Sequence, residues 1–229
     1  MKSYQLIHQL ISLVEQLEEE NQERELSIQD FTGFLLNTVG DQTGNTANSE
    51  VRFGNNDTIA LERAYQLDNN IGRLFVFMSR YAKLYIKKAL EGTPLQTGED
   101  FTALAILLTH NHLSKSELIS HNLQEKTSGT EVIRRLIAAE LVTQWDDVKD
   151  KRSKHIAITE KGKNLLYQVF VDMNYVGKII TGKLTTAEKF TLQYLLQKLE
   201  DFHLEHYIKK TIVNKADLKS VTEGDTTVM

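Results

Sequence analysis

The stretch Leu113 to Thr159 reads LSKSELISHNLQEKTSGTEVIRRLIAAELVTQWDDVKDKRSKHIAIT, and its order of elements decides the fold. It opens with Ser114, Lys115, Ser116 and Glu117, a capping box in which the serine accepts the glutamate amide and the glutamate side chain reaches back. The helix so begun is short, ending near His121 and Asn122. A second helix is expected from about Lys126 or Thr127, because Val132, Ile133, Leu136 and Ile137 recur on one face and leave Thr127, Thr130, Glu131 and Arg134 on the other. Leu141 to Trp145 then reads as a strand, Asp146 to Lys154 as a turn, and the alternating Ile156, Ala157 and Ile158 as the returning strand.

Helix, turn, helix and β-hairpin wing in that order is the layout of a DNA reader. Local charge favours that reading over the alternative, a winged-helix protein-protein interaction module without specific DNA binding. Lys149 to Lys163 holds six basic residues against two acidic ones, in a chain with 27 Lys plus Arg against 31 Asp plus Glu. Bases gathered on a protruding hairpin displace counterions from phosphates or enter a minor groove. Bulk charge offers no such attraction here.

From about Asp57 to Tyr207 the chain resembles the multiple-antibiotic-resistance regulator (MarR) family of bacterial winged-helix transcription factors. The resemblance rests on TSGTEVIRRL in the second helix, DKRS at Asp150 to Ser153, ITEKG at Ile158 to Gly162, and LTTAE at Leu184 to Glu188, in that order and spacing. It implies a homodimer whose terminal helices pair, a recognition helix in the major groove, and Arg152 of the wing in the minor groove. Lys126, Thr127, Ser128, Thr130 and Arg134 are then expected at the major groove or its phosphates, Ser114, Lys115 and Ser116 on the flanking backbone, and Lys151, Arg152 and Lys154 at the minor groove. Arg135 is weighed equally between DNA and a pair with Glu131 along the helix. The implied operator is pseudo-palindromic, with half-sites roughly 10 bp apart. Repression relieved by a small aromatic or lipophilic effector is the family's usual logic. Phe75, Phe77, Tyr81, Phe101 and Phe170 are candidates to line its cavity, although structural core is the commoner role. Two positions depart from the family pattern: Glu140 stands where a glycine usually ends the recognition helix, and Glu131 where a basic or polar groove residue is common.

Composition narrows the other classes. The 229 residues are 41% hydrophobic, enough for a proper core. The chain has no cysteine, which removes disulfides, thiolate zinc sites and thiol-based sensing. His8, Gln9 and Ser12 interrupt the apolar residues a signal peptide needs, so a cytoplasmic protein is the default. His110, His112 and His121 are close in sequence, and His203 and His206 share a helical face. Neither group has the spacing of a known ligand set, so no metal is assigned. No phosphate loop, nucleophile elbow or metalloprotease helix is present, and neither an enzyme nor a cofactor is expected.

The fold class expected is mainly α: a winged helix-turn-helix with a small β-hairpin wing, plus a dimerisation bundle from the N- and C-terminal helices. Residues 1–40 form a helical extension, beginning with an amphipathic helix from Ser3 to about Glu25 whose apolar stripe is expected to pack on the body. The first 31 residues hold seven acidic and two basic side chains, which sets them away from DNA. Residues 41–56, rich in Gly, Asn, Thr and Ser, read as a linker. Residues 57–96 carry one long dimerisation helix from Asp57 to about Leu90, stopped by Gly92 and Pro94. Residues 97–160 are the DNA-binding domain, led by a helix whose Phe101, Leu104, Ala105 and Leu108 are expected to be buried. Residues 161–212 supply two C-terminal dimerisation helices, capped by Thr159 and by a Thr185/Glu188 box. Residues 213–229 read as a flexible tail.

Overall fold

A computed structural model describes residues 2–21, 26–28, 30–35, 56–147 and 154–224. The expected linker, save its last residue, and the wing-tip residues Lys149, Lys151 and Arg152 lie outside them. The chain divides into two units, Met1–Asn69 and Asn70–Met229.

In the first unit, α1 (Lys2–Glu20) is the amphipathic helix. Leu17 is buried, whereas Leu6, Ile7 and Ile11 are about half exposed, so the stripe expected to be packed is mostly solvent-facing in a single chain. Asp30 accepts the Ser27 amide at 2.9 Å in the first turn of α2, whose described residues are 28 and 30–35. Asp57 caps α3 (Thr58–Tyr65) by accepting from the Ala60 amide at 2.9 Å.

The single long helix predicted from Asp57 is in fact two. Gln66 turns extended (ψ 139°) and α4 starts afresh at Leu67–Ala89. The Asn69 amide donates to the Arg63 carbonyl at 2.9 Å, satisfying an acceptor that the break frees. Periodicity cannot reveal such a break, because Leu67 and Ile71 remain apolar beyond it. Gly92, at φ 80°, does follow the end of α4.

The second unit is built on α5 (Gly98–Leu108), α6 (Lys115–His121), α7 (Lys126–Ala138) and a three-stranded antiparallel sheet. The wing strands are β2 (Val142–Asp146) and β3 (Lys154–Ile158), paired Val142 to Ile158 and Trp145 to His155. A third strand that the sequence did not announce, β1 (Leu113–Ser114), pairs Leu113 with Ile156 on the other edge of β3. Leu104, Leu107, Leu118, Ile133, Leu136, Leu141, Ile156 and Leu166 form the centre of one core. The buried face of α5 is Asp100, Ala103, Leu104 and Leu107; Phe101, Ala105 and Leu108 are only partly buried. The face is rotated from expectation because a charged residue, Asp100, is inside.

After the wing come α8 (Glu160–Thr181) and α9 (Thr186–Lys209), capped by Thr159 and by the Thr185/Glu188 box as expected. The segment expected to be a flexible tail instead holds α10 (Lys215–Gly224). Its polar residues make its cap: Asp217 accepts the amides of Val213 and Asn214 at 2.8 and 2.9 Å. No helix among the described residues is long and apolar enough to cross a membrane.

Three helices end in the same way without a glycine. Leu123, Glu140 and Lys210 take positive φ (51°, 61° and 51°). After α7, the Glu140 amide donates to Ile137 and the Leu141 amide to Leu136, the two bonds of a Schellman motif, with buried Leu136 and Leu141 as its apolar contact.

Candidate nucleic-acid interface

The helix-turn-helix is fixed by its ends. At the start of α6 the Ser114 amide donates to Glu117 at 2.7 Å and Ser114 Oγ accepts the Glu117 amide at 3.2 Å. The Ser114 amide holds the Glu117 carboxyl below the usual glutamate range, with burial opposing weakly. Ser114, expected at the DNA backbone, is thus committed to the cap, while Ser116 is exposed and Lys115 partly so. In the turn, Asn122 ties α6 to α5: it accepts from Thr102 Oγ1 at 2.5 Å and donates to the Glu99 carbonyl at 3.0 Å.

The position of α7 is set by close packing. A Cβ on buried Gly129 would lie 2.6 Å from Ile119, so only glycine lets α7 approach α6 this closely. Val132, Ile133 and Leu136 enter the core. Lys126, Thr127, Ser128, Thr130, Glu131 and Arg134 are all exposed. The first turn carries no side-chain cap, which leaves its amides directed outward. This face is the one the sequence assigned to the groove.

Two of its charges, Arg134 and Glu131, are already paired with each other. Arg134 donates from Nε and Nη2 to Glu131 at 3.0 and 2.9 Å. The intrahelical pair considered for Arg135 is therefore made by Arg134. Arg135 instead reaches Asp100, 2.6 Å away and 1% exposed, a partner that sequence reasoning missed because it lies 35 residues off. Thr130 Oγ1 donates to the Lys126 carbonyl at 2.6 Å.

At the wing, Lys154 pairs with Asp146 at 2.7 Å. Beneath it the His112 and His155 rings meet edge-on at 4.6 Å beside Trp145, and His155 Nε2 lies 2.6 Å from Asp147 Oδ2. The sequence singled out His112 only as a metal candidate, and its neighbour across the sheet was missed. Among the described residues no group of three or more acidic or histidine side chains is arranged to hold a metal.

The five aromatics named as cavity candidates, with core the commoner role, do not line one described groove together. Phe101 of α5 and Phe170 of α8 pack edge-on, Tyr81 stacks on Tyr85, and Phe77 lies under Arg73 and Arg80. Phe75 alone lines a groove, of about 660 Å³, with Thr181, Leu192, Leu196, Leu199 and His203. A second groove of about 670 Å³ lies between α4 and the helix-turn-helix, with Ile86, Ala105 and Ile106 as apolar wall and Lys83, His121 and Asn122 at its polar edge.

The winged helix DNA-binding domain family matches residues 100–162. The HTH-type transcriptional repressor NicR of Pseudomonas putida is 27% identical over 138 residues, which span 60% of this chain and 86% of NicR. The solved structure of Bordetella bronchiseptica BpsR, reported for regulation of its DNA binding by 6-hydroxynicotinic acid, aligns with a TM-score of 0.54 at 21% identity over 57% of this chain and 98% of BpsR. A mutant MarR from E. coli complexed with operator DNA aligns with a TM-score of 0.51 at 23% identity, over 58% of this chain and 98% of that one. The matches to NicR, BpsR and MarR each leave about 40% of the present chain uncovered.

Proposed function

We propose that this chain, a winged-helix protein of the MarR type, acts as a dimeric, sequence-specific repressor of transcription whose hold on its operator is weakened by a small ligand. The observation that carries the reading is the exposed polar face of α7, from Lys126 to Arg134, on a helix whose other face is locked into a winged-helix core. Lys126, Thr127, Ser128, Thr130 and Arg134 work at the major groove. Lys115 and Ser116 hold the flanking backbone beside the cap at Ser114, and Lys151, Arg152 and Lys154 reach the minor groove. Arg134 has to exchange Glu131 for a phosphate or base edge, and Lys154 has to leave Asp146.

Dimerisation follows from what a single chain leaves uncovered. α9 has 24 residues and none is buried; Leu195, Leu196, Leu199 and Phe202 are each at least 39% exposed. A second copy burying this face also delivers two recognition helices to two half-sites. We place the effector in the groove between α4 and the helix-turn-helix, where an aromatic acid meets the apolar wall of Ile86, Ala105 and Ile106 with Lys83 at the rim. Both relatives with a named regulatory role fit this logic, NicR as a repressor and BpsR through its response to 6-hydroxynicotinic acid.

The test is fluorescence anisotropy of the DNA upstream of its own gene and of a scrambled duplex, across a salt series, with wild type and Arg152→Ala. Tighter binding to the native duplex, a steep salt slope and a loss in the variant are expected. Binding to neither duplex at low salt by a folded dimer would sink the reading and redirect attention to a protein partner.

A further inference from the structure

We propose that Arg135 is a positioning residue for DNA recognition: its ion pair with buried Asp100 fixes the rotation of α7 in its seat, and Arg135 touches no phosphate. This rests on the DNA-binding reading above. The pair joins α7 to the first turn of α5. Asp100 is 1% exposed and both of its oxygens are used: Oδ1 accepts from Arg135 Nη2 at 2.6 Å, and Oδ2 accepts the Gln96 and Thr97 amides at 2.8 and 3.1 Å. A carboxylate held by backbone amides of its own helix start cannot follow a moving partner. The guanidinium is therefore tied to the least mobile point available.

The other attachments of α7 constrain different motions. Gly129 against Ile119 sets how closely α7 approaches α6. Val132, Ile133 and Leu136 make non-directional contacts that tolerate a small roll of the helix. Only the Arg135–Asp100 pair, among the contacts described for α7, is both directional and buried at one end. A roll about the helix axis would carry Thr127, Thr130 and Arg134 sideways across base edges, so the pair should govern discrimination between sequences more than affinity for phosphates.

The test is anisotropy with the native upstream duplex and the scrambled duplex over a salt series, for wild type, Arg135→Gln, Asp100→Asn, the double variant and Lys126→Gln. Lys126→Gln, a phosphate contact, should weaken both duplexes alike and lower the slope of log K against log salt by about one. Arg135→Gln and Asp100→Asn should each cut the preference for the native duplex about tenfold or more with the slope unchanged, and the double variant should lose less than the product of the two. Asp100→Asn is nearly isosteric and can keep both cap bonds, so it carries the test even if Arg135→Gln does not fold. A silent Asp100→Asn, or an Arg135→Gln that lowers the slope by one and weakens both duplexes equally, overturns the proposal. Wild type binding neither duplex overturns the DNA-binding reading, and this one with it.

Discussion

Glu140 occupies the backbone conformation that a glycine takes at no steric penalty. Its φ of 61° disfavours a residue bearing Cβ by about 1–2 kcal/mol. Lys161 holds the exposed carboxylate at 2.7 Å and lowers its pKa, a surface contact of little energetic weight. Glu140→Gly should therefore raise stability, by up to about 1 kcal/mol once the greater freedom of glycine in the unfolded chain is set against the relief; the urea midpoint measures it. Under the proposed function, Glu131 opposes DNA binding rather than folding. It keeps Arg134 occupied and, on the proposed DNA-binding face, would set a negative charge against phosphates. Glu131→Gln should strengthen DNA binding roughly three- to tenfold at about 0.1 M salt, and the gain should shrink as salt rises. Anisotropy with native and scrambled duplexes reads both effects, and an unchanged affinity would mean that α7 does not approach DNA through this face.

At the scale of elements, the caps were legible and the unglycined ends were not. Ser114 with Glu117 and Thr185 with Glu188 are boxes of local residues at fixed spacing, and both form; Thr97 with Asp100 makes a third of the same kind. Leu123 and Lys210 terminate helices with side chains that give no such signal, because their ends are held by backbone-to-backbone bonds that carry no side-chain signature; the end at Glu140 was marked only by the glycine its relatives usually carry there. The break at Gln66 and the inward Asp100 were hidden for related reasons: the first is satisfied by a side-chain amide, the second by a partner distant in sequence. The boxes also predict a pH response. The carboxyls of Glu117 and Glu188 lie below the ordinary glutamate value of 4.5, through the Ser114 and Thr185 amides they accept. A carboxyl whose pKa falls on folding adds stability that is complete above its unfolded value and is lost as pH falls through the folded one. The urea midpoint should therefore drop on acidification below about pH 4.5, and less steeply in a Glu117→Gln/Glu188→Gln variant. Equal slopes would show that these caps are not coupled to folding.

For the whole molecule, the helix-turn-helix and the two wing strands were legible because they succeed one another within a single short stretch, Leu113 to Thr159, whereas the third strand β1 and the buried face of α5 were not. The grooves were not, because Phe75, Phe77 and Tyr81 of α4, Phe101 of α5 and Phe170 of α8 carry no register that says which of them meet. Assembly lies between these cases. A 24-residue helix with an apolar face and nothing buried implies a partner without specifying its angle. Leu196→Glu places a charge in the middle of that face, and should weaken self-association at least a hundredfold and remove cooperative operator binding while leaving the winged helix folded. Sedimentation and circular dichroism together check this. A stable dimer of the variant would move the interface elsewhere.

The pairing of Trp145 with His155 across the wing strands has an optical consequence. Trp145 is the only tryptophan in the chain, 41% exposed, and flanked by two imidazoles. Its emission therefore reports on the wing alone. Stopped-flow fluorescence of the unlabelled protein would then time the engagement of the wing with DNA, a single clock set apart from whatever happens at α7, which carries no tryptophan.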